Sequence, residues 1–175
     1  MAGLYNFIHS FTSDLARPSR FEVFLNLPPS ISQSISGSFN PEELRYRCEV
    51  AQLPGKTFDT VEQKTYGPIE KFPNLTTYTD IDLTFIVDDN MNVKRMFDFW
   101  LNSINFSGNN NLNYKSNYSA DIRINQYSVA NEFTYGVNLI DAYPISMNQM
   151  DLDWSSDGYH KLNVTFAYTY WEQVF

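Results

Sequence analysis

The strand near the C-terminal end of the chain constrains the fold more than any other segment. Residues 162 to 170 alternate strictly between two kinds of side chain. One side carries Leu162, Val164, Phe166, Tyr168 and Tyr170, and the other carries Asn163, Thr165, Ala167 and Thr169. This two-residue period is typical of a strand with one buried face. So long a strand with aromatic side chains on one face needs a large sheet around it.

Other segments follow the same period, and together they predict a mainly β protein. The predicted strands lie at residues 21–27, 44–50, 57–66, 80–87, 121–127, 136–142 and 160–171. Residues 30–41 and 105–119 are rich in Ser, Asn and Gly and are typical of loops. We therefore expect an antiparallel β-sandwich or barrel with one packed α-helix and an N-terminal arm.

Two segments have helical periodicity. Residues 91–102 predict the packed helix, with Asp88, Asp89 or Asn90 as its cap. Its apolar stripe comprises Val93, Met96, Phe97, Trp100, Leu101 and Ile104. Phe99 lies off this stripe, so it is a candidate interface residue, although a wide stripe that buries Phe99 is the alternative. Residues 3–15 predict a short amphipathic helix within the arm.

Composition excludes several classes of protein. The net charge is −8 and the 12 basic residues are scattered, which argues against a protein that grips nucleic acid. A single cysteine, Cys48, excludes an internal disulfide framework and a cysteine-based zinc cluster. No run of about 18 apolar residues exists, so we expect no membrane span.

The sequence contains no set of residues that predicts catalysis. The two histidines, His9 and His160, have no sequence partners that indicate a triad or a metal site. The segment from Asp153 resembles a calcium loop, but its twelfth position is Val164, where a glutamate is needed. We therefore predict a protein that is not an enzyme and that binds no cofactor or metal ion.

Two other candidate sites also favour a structural interpretation. Cys48 alternates with Tyr46 and Val50, which predicts an inert thiol in the core. Asp80 and Asp82 lie on one face of a predicted strand. A glycosidase needs its two carboxylates across a cleft, so this pair predicts an acidic solvent-facing surface instead.

Four parts of the sequence, taken in order, carry a resemblance to a known family. They are residues 15–21 (LARPSRF), residues 48–55 (CEVAQLPG), residues 97–100 (FDFW), and the C-terminal pair 150–154 (MDLDW) and 165–172 (TFAYTYWE). Together they resemble the tail tube proteins of T-even-type contractile phages, over roughly residues 14 to 172. In family terms, residues 1–18 correspond to an N-terminal arm and residues 19–175 to the tail tube β domain. Residues 28–43 and 105–119 are expanded relative to the family.

The resemblance implies a virion protein that assembles in the host cytoplasm. Family members form homo-hexameric rings, whose strands complete one large ring barrel and which stack into a tube inside a contractile sheath. The tube extends from a baseplate tube initiator to a tail terminator. Its lumen holds the tape-measure protein and conducts viral DNA into the host without specific binding. Unpaired strand edges need such partners to avoid aggregation.

Strands with one polar face suit the wall of such a channel. The acidic residues of the more polar strands are the candidate lumen-facing residues: Asp59, Glu62, Asp80 and Asp82. A net-negative wall repels phosphates and lets DNA slide, whereas a basic wall would bind it.

Three other functions remain open on sequence alone. The inner tube of a type VI-like or extracellular contractile injection system shares the architecture and differs in its cargo. A tube initiator at the baseplate is a second alternative. From a different class, a carbohydrate-binding β-sandwich would use aromatic stacking platforms, but those would lie on loops, whereas Tyr168, Tyr170 and Trp171 belong to a regular strand.

Overall fold

The computed structural model describes residues 3, 15–35, 41–64, 66–106, 108 and 111–175. Its strands are β1 (Phe21–Leu25), β2 (Cys48–Ala51), β3 (Thr57–Gln63), β4 (Glu70–Thr77), β5 (Ile81–Ile86), β6 (Asn105–Phe106), β7 (Asn111–Leu112), β8 (Ala120–Tyr127), β9 (Phe133–Met147), β10 (Lys161–Ala167) and β11 (Tyr170–Val174). Its helices are α1 (Pro29–Ile35), α2 (Leu44–Arg47), α3 (Asn92–Ile104) and α4 (Lys115–Tyr118), with a 3-10 turn at Pro41–Glu43.

One long strand, β9, joins two antiparallel sheets. Its first part pairs with β8 on one side and with β11 on the other, which gives sheet 1 the order β1-β8-β9-β11. Its last part pairs with β10, which gives sheet 2 the order β9-β10-β5-β2. Asp141, near the changeover, has a φ of 55°, a left-handed conformation that Asp tolerates better than most residues.

The core lies between the two sheets and α3. The apolar sides of β5 and β10 are fully buried, as the alternation of residues 162–166 predicts. From α3, Phe97 lies 5.2 Å from Phe85 and 6.1 Å from Phe166, measured between ring centroids. Trp100 packs at 5.9 Å from Phe166 and donates its indole N–H to the Tyr118 carbonyl oxygen at 2.7 Å. These aromatic contacts fix α3 on the apolar face of sheet 2.

The helix α3 begins after a carboxylate that satisfies its first backbone N–H. The Asp88 side chain accepts a hydrogen bond from the Asn92 backbone N–H at 3.0 Å. It also forms an ion pair with Arg47 at 3.2 Å. Burial alone would raise the pKa of Asp88, but the backbone N–H groups and Arg47 outweigh it and lower the pKa below its ordinary value. The N-cap position itself is Met91, which is none of the three predicted residues, but the Asp88 side chain supplies the acceptor for the first helical N–H.

The mainly β, antiparallel architecture with one long packed helix is confirmed, whereas several local predictions are wrong, including the loop at 105–119, which contains β6, β7 and α4. The predicted strand at 160–171 is two strands, because the chain bends between Ala167 and Tyr170 to follow β9 from sheet 2 into sheet 1. Residues 44–47 form α2 rather than a strand, and residues 29–35 form α1 rather than a loop. The strand β4 has no counterpart in the predicted set.

Proline explains three of these differences. Pro29 is the first residue of α1 and Pro41 begins the turn that leads into α2, where the missing N–H costs nothing. Pro73 lies within β4, which pairs with β3 alone, so its missing donor breaks no second ladder. The predicted N-terminal helix lies almost wholly outside the described residues.

The short elements between α3 and β8 fill the region predicted as a loop. There β6 pairs with β7, and α4 follows. No described helix has the length and apolar character that a membrane crossing requires.

Candidate assembly site

Sheet 2 ends in two edges that have no strand partner among the described residues. One is β2, which pairs with β5 alone. The other is the end of β9, because β8 begins at Ala120 opposite Ala142 and gives the later residues no partner on that side. Exposed apolar side chains accompany both edges: Val50 on β2, Leu53 beyond it, and Ile145 on β9. Unpaired edges with apolar side chains are surfaces onto which another strand can add.

The outer face of sheet 2 is polar and is connected across its strands. The Thr165 hydroxyl donates to Asp82 at 2.7 Å, and the Thr84 hydroxyl donates to the Asn163 side-chain oxygen at 3.4 Å. Lys161 and Glu49 extend this row as an ion pair. This face has no apolar core of its own, unlike the opposite face, which packs on α3.

The four candidate lumen acids separate into two pairs. Asp80 and Asp82 lie at the start of β5, and Asp82 belongs to the polar face of sheet 2. Asp59 and Glu62 lie on β3, three residues apart and therefore on opposite faces of the strand. Their role in a lumen remains a prediction.

A hairpin of β3 and β4 extends beyond the body of the protein, and every residue of both strands is exposed. Its base is attached to the start of β11, since Trp171 donates its indole N–H to the Gly55 carbonyl oxygen at 3.3 Å. The Tyr168 hydroxyl likewise donates to the Thr79 carbonyl oxygen at 2.9 Å. The strands themselves carry the cross-strand pair Val61 and Phe72, both exposed. An isolated two-stranded hairpin is only marginally stable in water.

A second exposed apolar surface lies at the opposite end of sheet 2. Residues 148–160, here called the Trp154 loop, connect the end of β9 to the start of β10. Leu152, Trp154 and Tyr159 are exposed within it, and Trp154 is fully so. Asp151, Asp153 and Asp157 give the loop three negative charges and no positive one before His160.

The Trp154 loop is an Asp-rich turn. Asp153 accepts hydrogen bonds from the Ser155 backbone N–H at 3.0 Å and from its hydroxyl at 2.9 Å. These bonds lower the pKa of Asp153. Across residues 15–35, 41–64, 66–106 and 111–175, no three His, Cys, Asp or Glu side chains are grouped so that they could hold a metal ion.

The other candidate residues occupy separate places. Phe99 is 50% exposed on α3, so the wide-stripe alternative is wrong, and its interface role remains a prediction. Burial raises the pKa of the Cys48 thiol to about 12, which fits an unreactive group. His160 supplies its backbone carbonyl to Val87, whereas His9 lies outside the described residues.

Sequence patterns did not identify the hairpin or the Trp154 loop as surfaces. For the hairpin, the available signal was apolar side chains on both faces of a short polar strand, which no single buried face explains. For the loop, the signal was a tryptophan between acidic residues at the start of a polar turn.

Comparison with solved structures identifies the same fold in contractile injection machines. A chain from the extended-state sheath/tube terminator of an extracellular contractile injection system, PVC, superposes with a TM-score of 0.67 at 20% identity, covering 94% of this chain and 99% of that one. A chain from the PVC sheath-tube complex gives 0.65 at 19%, covering 93% of each. A chain from the baseplate of the anti-feeding prophage gives 0.66 at 15%, covering 93% and 97%.

At these identities the likeness establishes the fold alone, and no curated protein sequence matches the chain. The family comparison is more direct. The family model described as phage tail tube protein matches residues 16–174, which is nearly the whole chain. This chain therefore belongs to the phage tail tube protein family.

Proposed function

We propose that the chain forms hexameric rings that stack into the tube of a contractile phage tail and conduct viral DNA into the host. The observation that carries the proposal is the pair of open edges on sheet 2, β2 and the end of β9. Because the sheet has four antiparallel strands, its two edges run in opposite directions. Copies in one orientation therefore place β2 antiparallel to the neighbour's β9, and repetition closes a ring barrel.

We assign the inside and the outside of the proposed ring from the different character of the two faces of sheet 2. Its apolar face is covered by α3, so its polar face is the one free to line a channel. Asp80 and Asp82 then face the lumen, whereas Asp59 and Glu62 extend along the hairpin. The carboxylates of Asp80 and Asp82 add negative charge to this wall, and a negative wall repels phosphate and lets DNA slide.

The same assignment places Phe99 on the outside of the tube. Phe99 lies on α3, whose buried residues Phe97 and Trp100 point towards sheet 2, so its exposed ring points away from the channel. We therefore assign Phe99 to contact with a sheath protein. The tape-measure protein in the lumen, a baseplate initiator and a tail terminator complete the set of proposed partners within the virion.

The assembly test is gel filtration with negative-stain imaging of the purified chain. We expect rings or hollow tubes, and a strict monomer at high concentration would contradict the proposal. The interaction between edges has its own variant, Ala51→Pro, which removes a backbone donor on the open side of β2, because the next residue, Gln52, donates its N–H to Asp82 of β5. It should prevent ring closure, whereas Leu112→Pro at an exposed site remote from sheet 2 should not.

Charge reversal tests the lumen. Asp80→Lys together with Asp82→Lys should slow genome ejection without stopping tube assembly, because a basic wall binds phosphate. Glu132→Lys, an exposed acid on the loop between β8 and β9, makes the same kind of charge change away from sheet 2. Equal ejection rates for wild type and the double variant would remove the channel assignment for these acids.

The tube of an extracellular contractile injection system is a second candidate, because the structural relatives come from such machines. The architecture is shared and the cargo differs. Neighbouring genes separate the two functions, since capsid and terminase genes accompany a phage tail.

A further inference from the structure

We propose that the Trp154 loop of one copy is the docking site for the β3–β4 hairpin of the next copy along the tube, with Trp154 packed on the Val61–Phe72 pair. The inference rests on the proposed tube function and names the residues that join one ring to the next. Its occupant is a second copy of this chain.

Topology prevents the hairpin from reaching this loop within one molecule. The hairpin connects the end of β2 to the start of β5, and its base is bound to Tyr168 and Trp171 just beyond β10. The Trp154 loop precedes β10 and so lies at the other end of the same antiparallel sheet. Contact between the two surfaces therefore requires two molecules in head-to-tail order, which is the arrangement that extends without limit.

Both surfaces present apolar side chains that stay exposed to solvent in a single molecule. The two strands of the hairpin, 57–63 and 70–77, have no buried residue and carry Val61 and Phe72 as a cross-strand pair. The loop presents Trp154, fully exposed, with Leu152 beside it in sequence. Large aromatic side chains with exposed apolar neighbours are the residues that dominate binding energy at protein interfaces.

Charge favours this pairing over contact between like ends. The loop segment 148–159 carries three aspartates and no basic residue, so two such loops repel each other. The hairpin segment 56–77 balances three lysines against three acids in a chain with a net charge of −8. Its lysines are Lys56, Lys64 and Lys71, and Lys71 is only loosely paired with Glu62 at 3.8 Å.

The first test measures the lowest protein concentration at which tubes sediment in an ultracentrifuge. Trp154→Ala and Phe72→Ala should each raise this concentration on the order of tenfold, as loss of an aromatic hot spot does. Both variants should still form rings. Tyr114→Ala removes another exposed aromatic side chain, outside both surfaces, and should assemble like wild type.

Cross-linking tests the contact itself, at a protein concentration high enough for the double variant to form tubes. The double variant Trp154→Cys with Phe72→Cys, oxidised with copper–phenanthroline, should give a ladder of linked chains on a non-reducing gel. Each single variant should not, because the native Cys48 thiol is poorly reactive.

The possible outcomes distinguish a failure of the docking site from a failure of the proposed tube function. Wild-type protein that forms no rings or tubes contradicts the proposed function. Wild-type tubes with unchanged assembly of Trp154→Ala, or with no ladder from the double variant, overturn the docking site alone.

Discussion

The body of the protein and its β3–β4 hairpin are built on opposite principles. In the body, α3 and the two sheets bury the apolar faces of β5 and β10 completely. In the hairpin, two strands of similar length leave every side chain exposed. Both parts contain an antiparallel backbone ladder, with a register shift between Phe58 and Thr60 in the hairpin, so backbone pairing alone does not explain the difference in burial. The difference indicates which part is stabilised by folding and which part needs a partner.

Truncation of a core side chain should produce the largest loss in the free energy of unfolding. Trp100→Ala removes a fully buried side chain that contacts Phe97 and Phe166, and leaves the Tyr118 carbonyl without its donor. We expect a loss of about 3–5 kcal/mol in the free energy of unfolding, measured by urea denaturation of the monomer. A loss below about 1 kcal/mol would show that the body is not packed as described.

The cap of α3 should give an intermediate, pH-dependent effect. Asp88→Asn keeps a capping side chain but removes the charge that faces Arg47, and should cost about 1 kcal/mol at pH 7. The folded-state pKa of Asp88 is lowered, so its contribution is complete above the ordinary Asp pKa of about 3.9 and is lost as pH falls through the lower folded value. Denaturation curves of wild type and variant should therefore converge in strong acid. A difference that is constant with pH would contradict the role of the charge.

The hairpin should respond least to truncation in the monomer. Phe72→Ala removes an aromatic ring of the same size class as core residues, yet it lies on an exposed surface. We expect a change within about 0.5 kcal/mol in the unfolding free energy of the monomer. A cost near that of Trp100→Ala would mean that the hairpin folds against its own body.

The Cys48 thiol, at the edge of sheet 2, should hardly react with an alkylating agent in the folded protein. Burial raises the pKa of Cys48 to about 12, so the thiolate is scarce at neutral pH. Alkylation by iodoacetamide at pH 8 should be slow in the folded protein and fast in urea. Rapid alkylation of the folded protein would show that β2 separates from β5 in solution.

Sequence reasoning succeeded where one rule decides the structure. Strict alternation identified the buried faces of β10 and β5, and a 3.6-residue stripe identified α3. The apolar pattern could not show that β9 extends to Met147, because its later residues leave one sheet and enter another. It also could not show that β10 ends at Ala167, since the bend follows the path of β9.

The candidate assembly site was harder to predict from the sequence, because it consists of strand edges that lack a neighbouring strand. An unpaired edge, such as that of β2, has the same local pattern as a paired one. The place of Phe99 off the stripe left both exposure and a wider buried stripe open, and it gave no indication of a partner. Pro73 prevented the prediction of β4, because proline is rare in central strands. It is compatible with the two-stranded ladder in which β4 lies.

The continuity of β10 with the hairpin base has a mechanical consequence. The backbone that leaves the Trp154 loop runs through β10 directly to Tyr168 and Trp171, which hold Thr79 and Gly55. Tension applied at one end of the subunit is thus transmitted to the other along a covalent chain, with the neighbouring ladders loaded in shear. Within one subunit, stretching along this direction is therefore resisted by the polypeptide backbone together with the shear strength of the ladders on either side of β10.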